Sequence, residues 1–256
     1  MRNKFFKLLL TVGLTSSALF AQCDKSLLEK IKTTIGEKRK MVDALTVCKK
    51  WLYKDELSIF VMTFPVAGTS EENLEDGLAE YDVHTVVYDT KQKAIQNHLY
   101  QEALYSSDAV RLEKIRIDTA RYNLNKDTRA FGITAIYRGA SRANPYNIDS
   151  LDLYISDEKS LRKVLEVVIS EDGGEWDTNC AGDFYDSKSI VLITKHKTNG
   201  FYDLSLKRTS LSSHTYLKNN ECEETQKPKT YQTLPFKYDG KVYKVYKSKK
   251  QKEALK

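Results

Sequence analysis

The densest group of side chains able to do chemistry lies around position 175. Glu175 and Asp177 flank Trp176, and Asp183 follows a few residues later. Two carboxyl groups held close together can act as acid and base on a glycosidic bond, and their separation sets the stereochemical outcome. The segment therefore gives one hypothesis of function, a cell-wall glycan hydrolase that uses Glu175 and Asp177.

The same segment has two non-catalytic interpretations. The preceding Gly173 and Gly174 predict a sharp turn, because glycine tolerates backbone conformations that other residues avoid. A disulfide at Cys180 would pin that turn with Trp176 packed inward. Alternatively, Trp176 lies on a partner-binding loop, since tryptophan is common at interface hot spots. We favour a purely structural role for this segment, then partner binding, and then catalysis.

Arginines form a second candidate group. Arg121 and Arg142 bound a stretch that also contains Arg129 and Arg138. Their fork-shaped guanidinium groups could form one anion-binding cluster, or each could pair with a carboxylate at a strand edge. Arg121 and Arg142 join Trp176 and its neighbours as candidate binding residues.

Short motifs of common catalytic and cofactor sites are missing from the sequence. It contains no G-x-S-x-G, P-loop, H-E-x-x-H or G-x-G-x-x-G pattern. We therefore predict a protein that is not an enzyme and uses no cofactor.

The first 21 residues have the layout of a secretory signal peptide. Three basic residues fall within the first seven positions, an apolar run covers residues 5–14, and small residues end at Ala21. The run is shorter than the roughly 20 apolar residues of a membrane span. We predict cleavage near Ala21, with Ala18 as an alternative, and a periplasmic or secreted product without a transmembrane segment. Acylation of Cys23 is a weaker alternative, because the preceding Gln22 is not small.

Four cysteines in an exported chain predict two disulfides. We expect Cys23 to pair with Cys48 and Cys180 with Cys222, since each bridge then closes the shorter loop, while the other two connectivities stay open. The spacing matches no zinc motif, and no metal is expected.

The formal net charge of +6 is concentrated at the C-terminus. From Lys237 to Lys256 there are eight lysines against two acidic residues. The last ten residues, 247–256, are interpreted as a solvated basic tail, with an anion-binding patch as the alternative. We do not expect nucleic acid as a partner.

These candidates must be positioned by a mainly β fold. Residues 22–52 are predicted as an N-terminal helical segment, with a helical pattern over 24–48 that Gly36 interrupts, either as one bent helix or as two short ones, and residues 53–246 as a β domain. Asn199-Gly200 and Asp239-Gly240 indicate hairpin turns. Short strands at regular intervals favour antiparallel hairpins in a propeller-like or sandwich arrangement.

A weak internal pattern places an aspartate between two apolar residues at three strand starts. The three copies are Tyr81-Asp82-Val83, Leu151-Asp152-Leu153 and Tyr202-Asp203-Leu204. Repeated hairpin units would explain the pattern, and chance explains it equally well.

Residues 199–204 and 236–243 resemble the FG-GAP or VCBS-type β repeat. Single copies of that repeat close some small periplasmic proteins, including lysozyme-inhibitor-like ones. Stretches at 118–122, 129–132, 144–146 and 174–180 also resemble a group of exported proteobacterial proteins of unassigned function. The calcium-binding version of the repeat needs oxygen ligands where this chain has Lys195 and Lys197, so calcium is not expected.

Taken together, these features predict a non-catalytic binding protein of the cell envelope. Its partner would be an envelope protein or a glycan, and the resemblance makes a wall-acting enzyme one candidate. The glycan hydrolase is the alternative.

Overall fold

The structure is a computed structural model that describes residues 23–158 and 160–246. The predicted signal peptide and basic tail lie outside the described residues. Two helices precede or interrupt the strands, α1 (Lys25–Thr34) and α2 (Glu71–Glu75), and Asp43–Leu45 forms a single 3₁₀ turn. The strands are β1 (Val47–Lys50), β2 (Leu57–Pro65), β3 (Ala79–Asp89), β4 (Ala94–Ser107), β5 (Val110–Asn123), β6 (Arg129–Gly139), β7 (Tyr146–Ser156), β8 (Leu161–Trp176), β9 (Gly182–Thr198), β10 (Phe201–Lys218), β11 (Glu221–Gln226), β12 (Thr230–Tyr238) and β13 (Tyr243–Val245).

The strands form two antiparallel sheets. The first sheet has the order β1-β2-β3-β4, and the second has the order β13-β12-β10-β9-β8-β7-β6-β5, with β11 paired to β10. The predicted fold class, mainly β with antiparallel hairpins, is therefore confirmed. Most neighbours in the sheets are also neighbours in the chain, as expected for strands joined by short turns.

Three apolar clusters explain how the sheets stack. One joins the first sheet to β5, β6 and β7, and a second joins β7 and β8 to β10, β12 and β13. A third lies between α1 and the other face of the first sheet, where Leu28 and Ile31 meet Phe60 and Met62. The first sheet is thus covered on both faces, and its central strands β2 and β3 are almost continuously buried.

Both predicted hairpin turns lie at strand connections. Asn199 and Gly200 have φ of +49° and +86°, which suits the two-residue turn between β9 and β10. In the loop between β12 and β13, Asp239 Oδ1 accepts the backbone N–H groups of Lys241 and Val242, and Gly240 has φ of +103°.

The helix predicted over 24–48 is wrong beyond its first ten residues. Asp24 caps α1 by accepting the N–H groups of Ser26 and Leu27. The helix ends at Thr34, and Gly36 follows with φ of +77°, the left-handed conformation that commonly terminates helices. Residues 47–50 instead pair with β2, so part of the predicted helical segment belongs to the first sheet.

Two disulfides join Cys23 to Cys48 and Cys180 to Cys222, as expected. The first ties the start of α1 to β1. Because the sulfur of Cys23 is bonded to Cys48, it is not available as a thiol for acylation. The bridges are consistent with an oxidising compartment. Within the described residues, no helix is both long enough and apolar enough to cross a membrane.

Candidate functional site

The sequence around Glu175 belongs to a strongly acidic part of the second sheet. We define the acidic arm as residues 171–188 and 210–226, which cover the end of β8, the start of β9, the end of β10 and β11. It contains nine acidic residues against Lys188 and Lys218. The acidic residues are Glu171, Asp172, Glu175, Asp177, Asp183, Asp186, Glu221, Glu223 and Glu224.

The arm contributes almost nothing to the apolar core. Of its residues, only Gly173, Cys180 and Ser187 are buried, and the others are half-buried or exposed. Its geometry is held by the pairing of β8, β9, β10 and β11 and by the Cys180–Cys222 bridge. The arm is thus a thin, ordered sheet with much of its surface available for contact.

Gly173 and Gly174 do not form the predicted turn. Both lie within β8, where they pair with Tyr185 and Phe184 of β9, and Gly182 in turn pairs with Trp176. Gly173 and Gly174 face the side chains of Tyr185 and Phe184, which occupy the space above the glycine backbone, and Gly182 lies against the Cβ of Trp176. The turn follows at residues 177–181 instead, where the N–H of Asp177 donates to the carbonyl oxygen of Ala181.

We expect Gly174→Ala to loosen the arm. A Cβ at this position would collide with the Phe184 ring and lie 2.6 Å from the carbonyl oxygen of Asp183, so the paired backbone would have to move. Overpacking of this kind lowers the free energy of unfolding by roughly 1–3 kcal/mol. Hydrogen exchange should show faster exchange of the amides of residues 182–187. Ser213→Ala, opposite Phe184 on β10, adds no atom and serves as the control; equal protection in both variants would contradict the prediction.

Trp176 and Glu175 point to opposite faces of the arm because they are adjacent in a strand. The Trp176 ring lies 6.2 Å from that of Phe184, and its Nε1 donates to the carbonyl oxygen of Arg142 at 2.6 Å. Trp176 is therefore half-buried, with its ring packed on Phe184 and its indole N–H hydrogen-bonded. Glu175 shares the other face with its cross-strand partner Asp183.

Asp177 has the contacts of a turn-capping residue. Its Oδ1 accepts the backbone N–H groups of Asn179, Cys180 and Ala181 at 2.9, 2.7 and 3.0 Å. These bonds stabilise the carboxylate and lower the pKa of Asp177. A general acid for glycoside cleavage needs a raised pKa, so the geometry gives the hydrolase hypothesis no support at this position.

A row of polar side chains crosses the face that carries Glu175. Glu175 pairs with Asp183 on β9, and Asp183 pairs with His214 on β10, whose Nδ1 lies 3.0 Å from Asp183 Oδ1. His214 stacks on Tyr216 with ring centroids 5.9 Å apart, and the exposed Tyr185 lies on the same face. We call this surface the acidic face. It offers carboxylates to a cation and aromatic rings to an apolar group.

The candidate arginines do not converge. Asn123 pairs with Arg129 at one end of the β5–β6 pair and Val110 with Gly139 at the other, so Arg121 and Arg142 lie at opposite ends. Arg129, at the same end as Arg121, donates to the carbonyl oxygen of Thr119 at 2.7 Å. Arg138 pairs with Asp149 at 2.7 Å. The structure therefore forms no single anion-binding cluster from these residues.

Sequence reasoning missed a polar network on the first sheet. Arg39 Nη1 lies 2.6 Å from Asp82 Oδ2, and Arg39 Nη2 lies 2.6 Å from Glu37 Oε2. His84 Nε2 lies 3.3 Å from the same Glu37 oxygen, and His84 Nδ1 lies 2.8 Å from His98 Nε2. Glu37 and Arg39 lie in the stretch predicted as helix, where no local pattern places them beside a strand. Asp82 belongs to the Tyr81-Asp82-Val83 pattern.

The charges in this network are fixed by burial and pairing. Hydrogen bonding from Arg39 lowers the pKa of Glu37 to about 2. Burial lowers the pKa of His84 and of His98, and for His84 the neighbouring imidazole lowers it further. We infer that both histidines are neutral at pH 7 and share one proton between their facing nitrogens. The network attaches residues 37–39 to the first sheet.

Within the described residues, no three His, Cys, Asp or Glu side chains are arranged to hold a metal ion. No family model, curated protein or solved structure matches the chain. The class that the fold and the site define is thus an antiparallel two-sheet protein with two disulfides and an acidic arm.

Proposed function

We propose that this protein is an exported, non-catalytic binding protein whose acidic face binds a basic partner protein of the cell envelope. The observation that carries the proposal is the composition of the arm, nine acidic residues against two lysines over its two faces, in a sheet that packs against little else. Complementary charge accelerates and orients the encounter of two proteins.

The aromatic residues of the face support a protein partner. Tyr185 is exposed, and Tyr216 lies beside His214 with its hydroxyl group donating to Glu223 at 3.0 Å. Tyrosines are enriched at protein interfaces because each supplies a large contact area with few rotatable bonds. The strand pairing and the Cys180–Cys222 bridge hold this surface before binding, which reduces the entropy lost on association.

The compartment is consistent with this proposal. Two disulfides support an oxidising location, where the resemblance to lysozyme-inhibitor-like proteins makes a wall-acting enzyme a suitable partner. A basic lysozyme is therefore the probe that we choose for the test.

The test compares two matched double variants for binding to a basic lysozyme by biolayer interferometry. Glu175→Gln with Asp183→Asn neutralises the acidic face, and Glu71→Gln with Glu72→Gln removes the same charge from α2, outside the arm. We expect the arm variant to bind at least about tenfold more weakly, a change of about 1.4 kcal/mol, and the α2 variant to bind like the wild type. Raising the salt concentration should weaken the binding of the wild-type protein to lysozyme, because salt screens the attraction between opposite charges.

Equal binding by the two double variants, or no binding of lysozyme by the wild type, would contradict the proposal. Zymography on peptidoglycan distinguishes the alternative function. Clearing that disappears with Glu175→Gln would assign the residue to hydrolysis rather than to partner binding.

A further inference from the structure

A cleft lined by basic residues, in contrast to the acidic arm, lies between α1, β1 and β5. We propose that this cleft binds a single-chain amphiphile with an anionic head group, of which a long-chain fatty acid is the simplest member. The cavity has a volume of about 740 Å³. Small-molecule sites usually enclose roughly 300–1,000 Å³.

The cleft forms where the edges of the two sheets separate. β1 is an outer strand of the first sheet and β5 is an outer strand of the second, and neither pairs with the other. The start of α1, tied to β1 by the Cys23–Cys48 bridge, closes another side. The cavity is therefore built by three elements whose positions are fixed by pairing, packing and a disulfide.

The floor of the cleft is apolar. Leu28 of α1, Val47 of β1, and Ile115 and Ile117 of β5 line it, with Met41 nearby. Ile115 is fully buried and Leu28 and Ile117 are each 7% exposed, so the accessible apolar surface is supplied chiefly by the half-buried Val47 and Met41 above them. A flexible acyl chain can cover such a surface, and each methylene removed from water contributes roughly 0.8 kcal/mol.

The rim of the cleft is basic. Its lining includes Lys25, Lys49, Lys50, Lys114 and Arg116, and the acidic residues Glu29 and Asp43. Lys50 lies 3.7 Å from Asp55 and Arg116 lies 3.9 Å from Asp149, so part of this positive charge is compensated. Glu29 is also within 3.6 Å of Lys32 on α1. An apolar floor under a positive rim matches a molecule with an apolar chain and a negative end, and it disfavours neutral or cationic ligands.

An added peptide strand fits the cleft less well, although both flanking strands are sheet edges. β1 has only four residues. The ammonium group of Lys49 already donates to the carbonyl oxygen of Ile117 at 3.1 Å, so it occupies an acceptor that an incoming strand would need. A ligand that uses side-chain charge and apolar contact does not have this conflict.

The test measures palmitate binding to the exported protein by isothermal titration calorimetry. The cleft variant combines Lys25→Gln, Lys49→Gln and Lys50→Gln, and the control combines Lys91→Gln, Lys93→Gln and Lys126→Gln, which are also exposed lysines. We expect one palmitate per chain, with affinity at least about tenfold lower in the cleft variant and unchanged in the control. Hexadecanol, which has the chain without the charge, should bind at least about tenfold more weakly than palmitate to the wild type.

Three outcomes would overturn the inference. They are absence of palmitate binding, equal affinities in the cleft and control variants, and equal affinities for palmitate and hexadecanol. Thermal unfolding of each variant checks that the exposed substitutions leave the fold intact. Sedimentation of the ligand-free protein tests a different occupant, because a dimer that the cleft variant abolishes would assign the surface to a second copy of the chain.

Discussion

Replacing Arg39 by Met should lower the free energy of unfolding by about 3 kcal/mol, the lower end of the loss on removing one partner from a buried ion pair, because Arg39 itself is 29% exposed. Arg39 lies between two carboxylates that are nearly buried, with Glu37 10% and Asp82 5% exposed. Its Nη1 also donates to the carbonyl oxygen of Pro65 at 3.1 Å, and its guanidinium group lies 5.5 Å from the centre of the Phe64 ring. Met restores some apolar contact but leaves both carboxylates without their cation.

Urea unfolding at pH 7 measures this loss, and two variants show where it originates. Arg138→Met removes an arginine of similar exposure, 36% against 29%, that pairs with one carboxylate instead of two. Asp149 keeps Arg116 at 3.9 Å, so a loss of about 1 kcal/mol or less is expected. Adding Glu37→Gln and Asp82→Asn to Arg39→Met should recover much of the stability, because the uncompensated charges are then gone. A loss below about 1 kcal/mol for Arg39→Met would contradict the assigned role.

Asp82 also explains an irregularity in β4. Its Oδ1 accepts the backbone N–H of Ala103 at 2.8 Å, and Ala103 has a φ of +44°, uncommon for a residue with a side chain. The β3–β4 register shifts at the same place, between the Tyr81–Tyr105 and Val83–Gln101 pairs. The network that holds Arg39 therefore also fixes the bulge in the edge strand of the first sheet.

The parts of the fold that the sequence predicts are those determined by local chemistry. Asn199-Gly200 specifies a tight turn because both positions accept positive φ. The two disulfides are predicted because the signal-peptide pattern indicates an oxidising compartment and each chosen bridge closes the shorter loop. Such features depend on neighbours in the chain.

The features that sequence reasoning missed depend on residues far apart in the chain. Gly173 and Gly174 have the composition of a turn, yet each lies in a strand because an aromatic residue of β9 fills the space above it. Likewise, Arg39 has the appearance of a solvent-facing helical residue until Asp82, 43 positions later, is placed beside it. No local pattern contains either partner.

The three-residue aspartate pattern has a physical meaning that its sequence did not define. Asp82, Asp152 and Asp203 are all buried, each between apolar neighbours on a strand. Their partners differ, however. Asp82 is paired with Arg39, whereas Oδ1 of Asp152 and Oδ1 of Asp203 have no hydrogen-bond partner within the described residues. The pattern therefore identifies buried carboxylates, and it leaves the question of repeated hairpin units untested.

The second large effect is expected at Asp152, where substitution should stabilise the protein. Burial raises the pKa of Asp152 to about 6 from an ordinary 3.8, and Lys163, 3.4 Å away, only partly offsets this. The native state thus binds a proton more tightly than the unfolded chain does. This favourable contribution is fully present below pH 4 and is lost as the pH rises through 6. The difference between the pKa of Asp152 in the native state and its ordinary value corresponds to roughly 3 kcal/mol of stability lost at pH 7.

Asp152→Asn keeps the shape of the side chain and removes the buried charge. Lys163 retains its contact with Glu166 at 2.6 Å, and the Tyr154 hydroxyl group retains Gln101 as an acceptor at 3.0 Å, so neither loses its only partner. We therefore expect the variant to be more stable than the wild type by about 1–3 kcal/mol at pH 7.

The gain should shrink steadily between pH 7 and pH 4, because the wild-type carboxyl group becomes neutral over that range. Urea unfolding at several pH values measures the difference. Asp186→Asn, which removes a more exposed carboxylate in the acidic arm, is the control and should change stability little at any pH. A variant that is less stable at pH 7, or whose advantage does not change with pH, would show that the charge of Asp152 is stabilised where it lies.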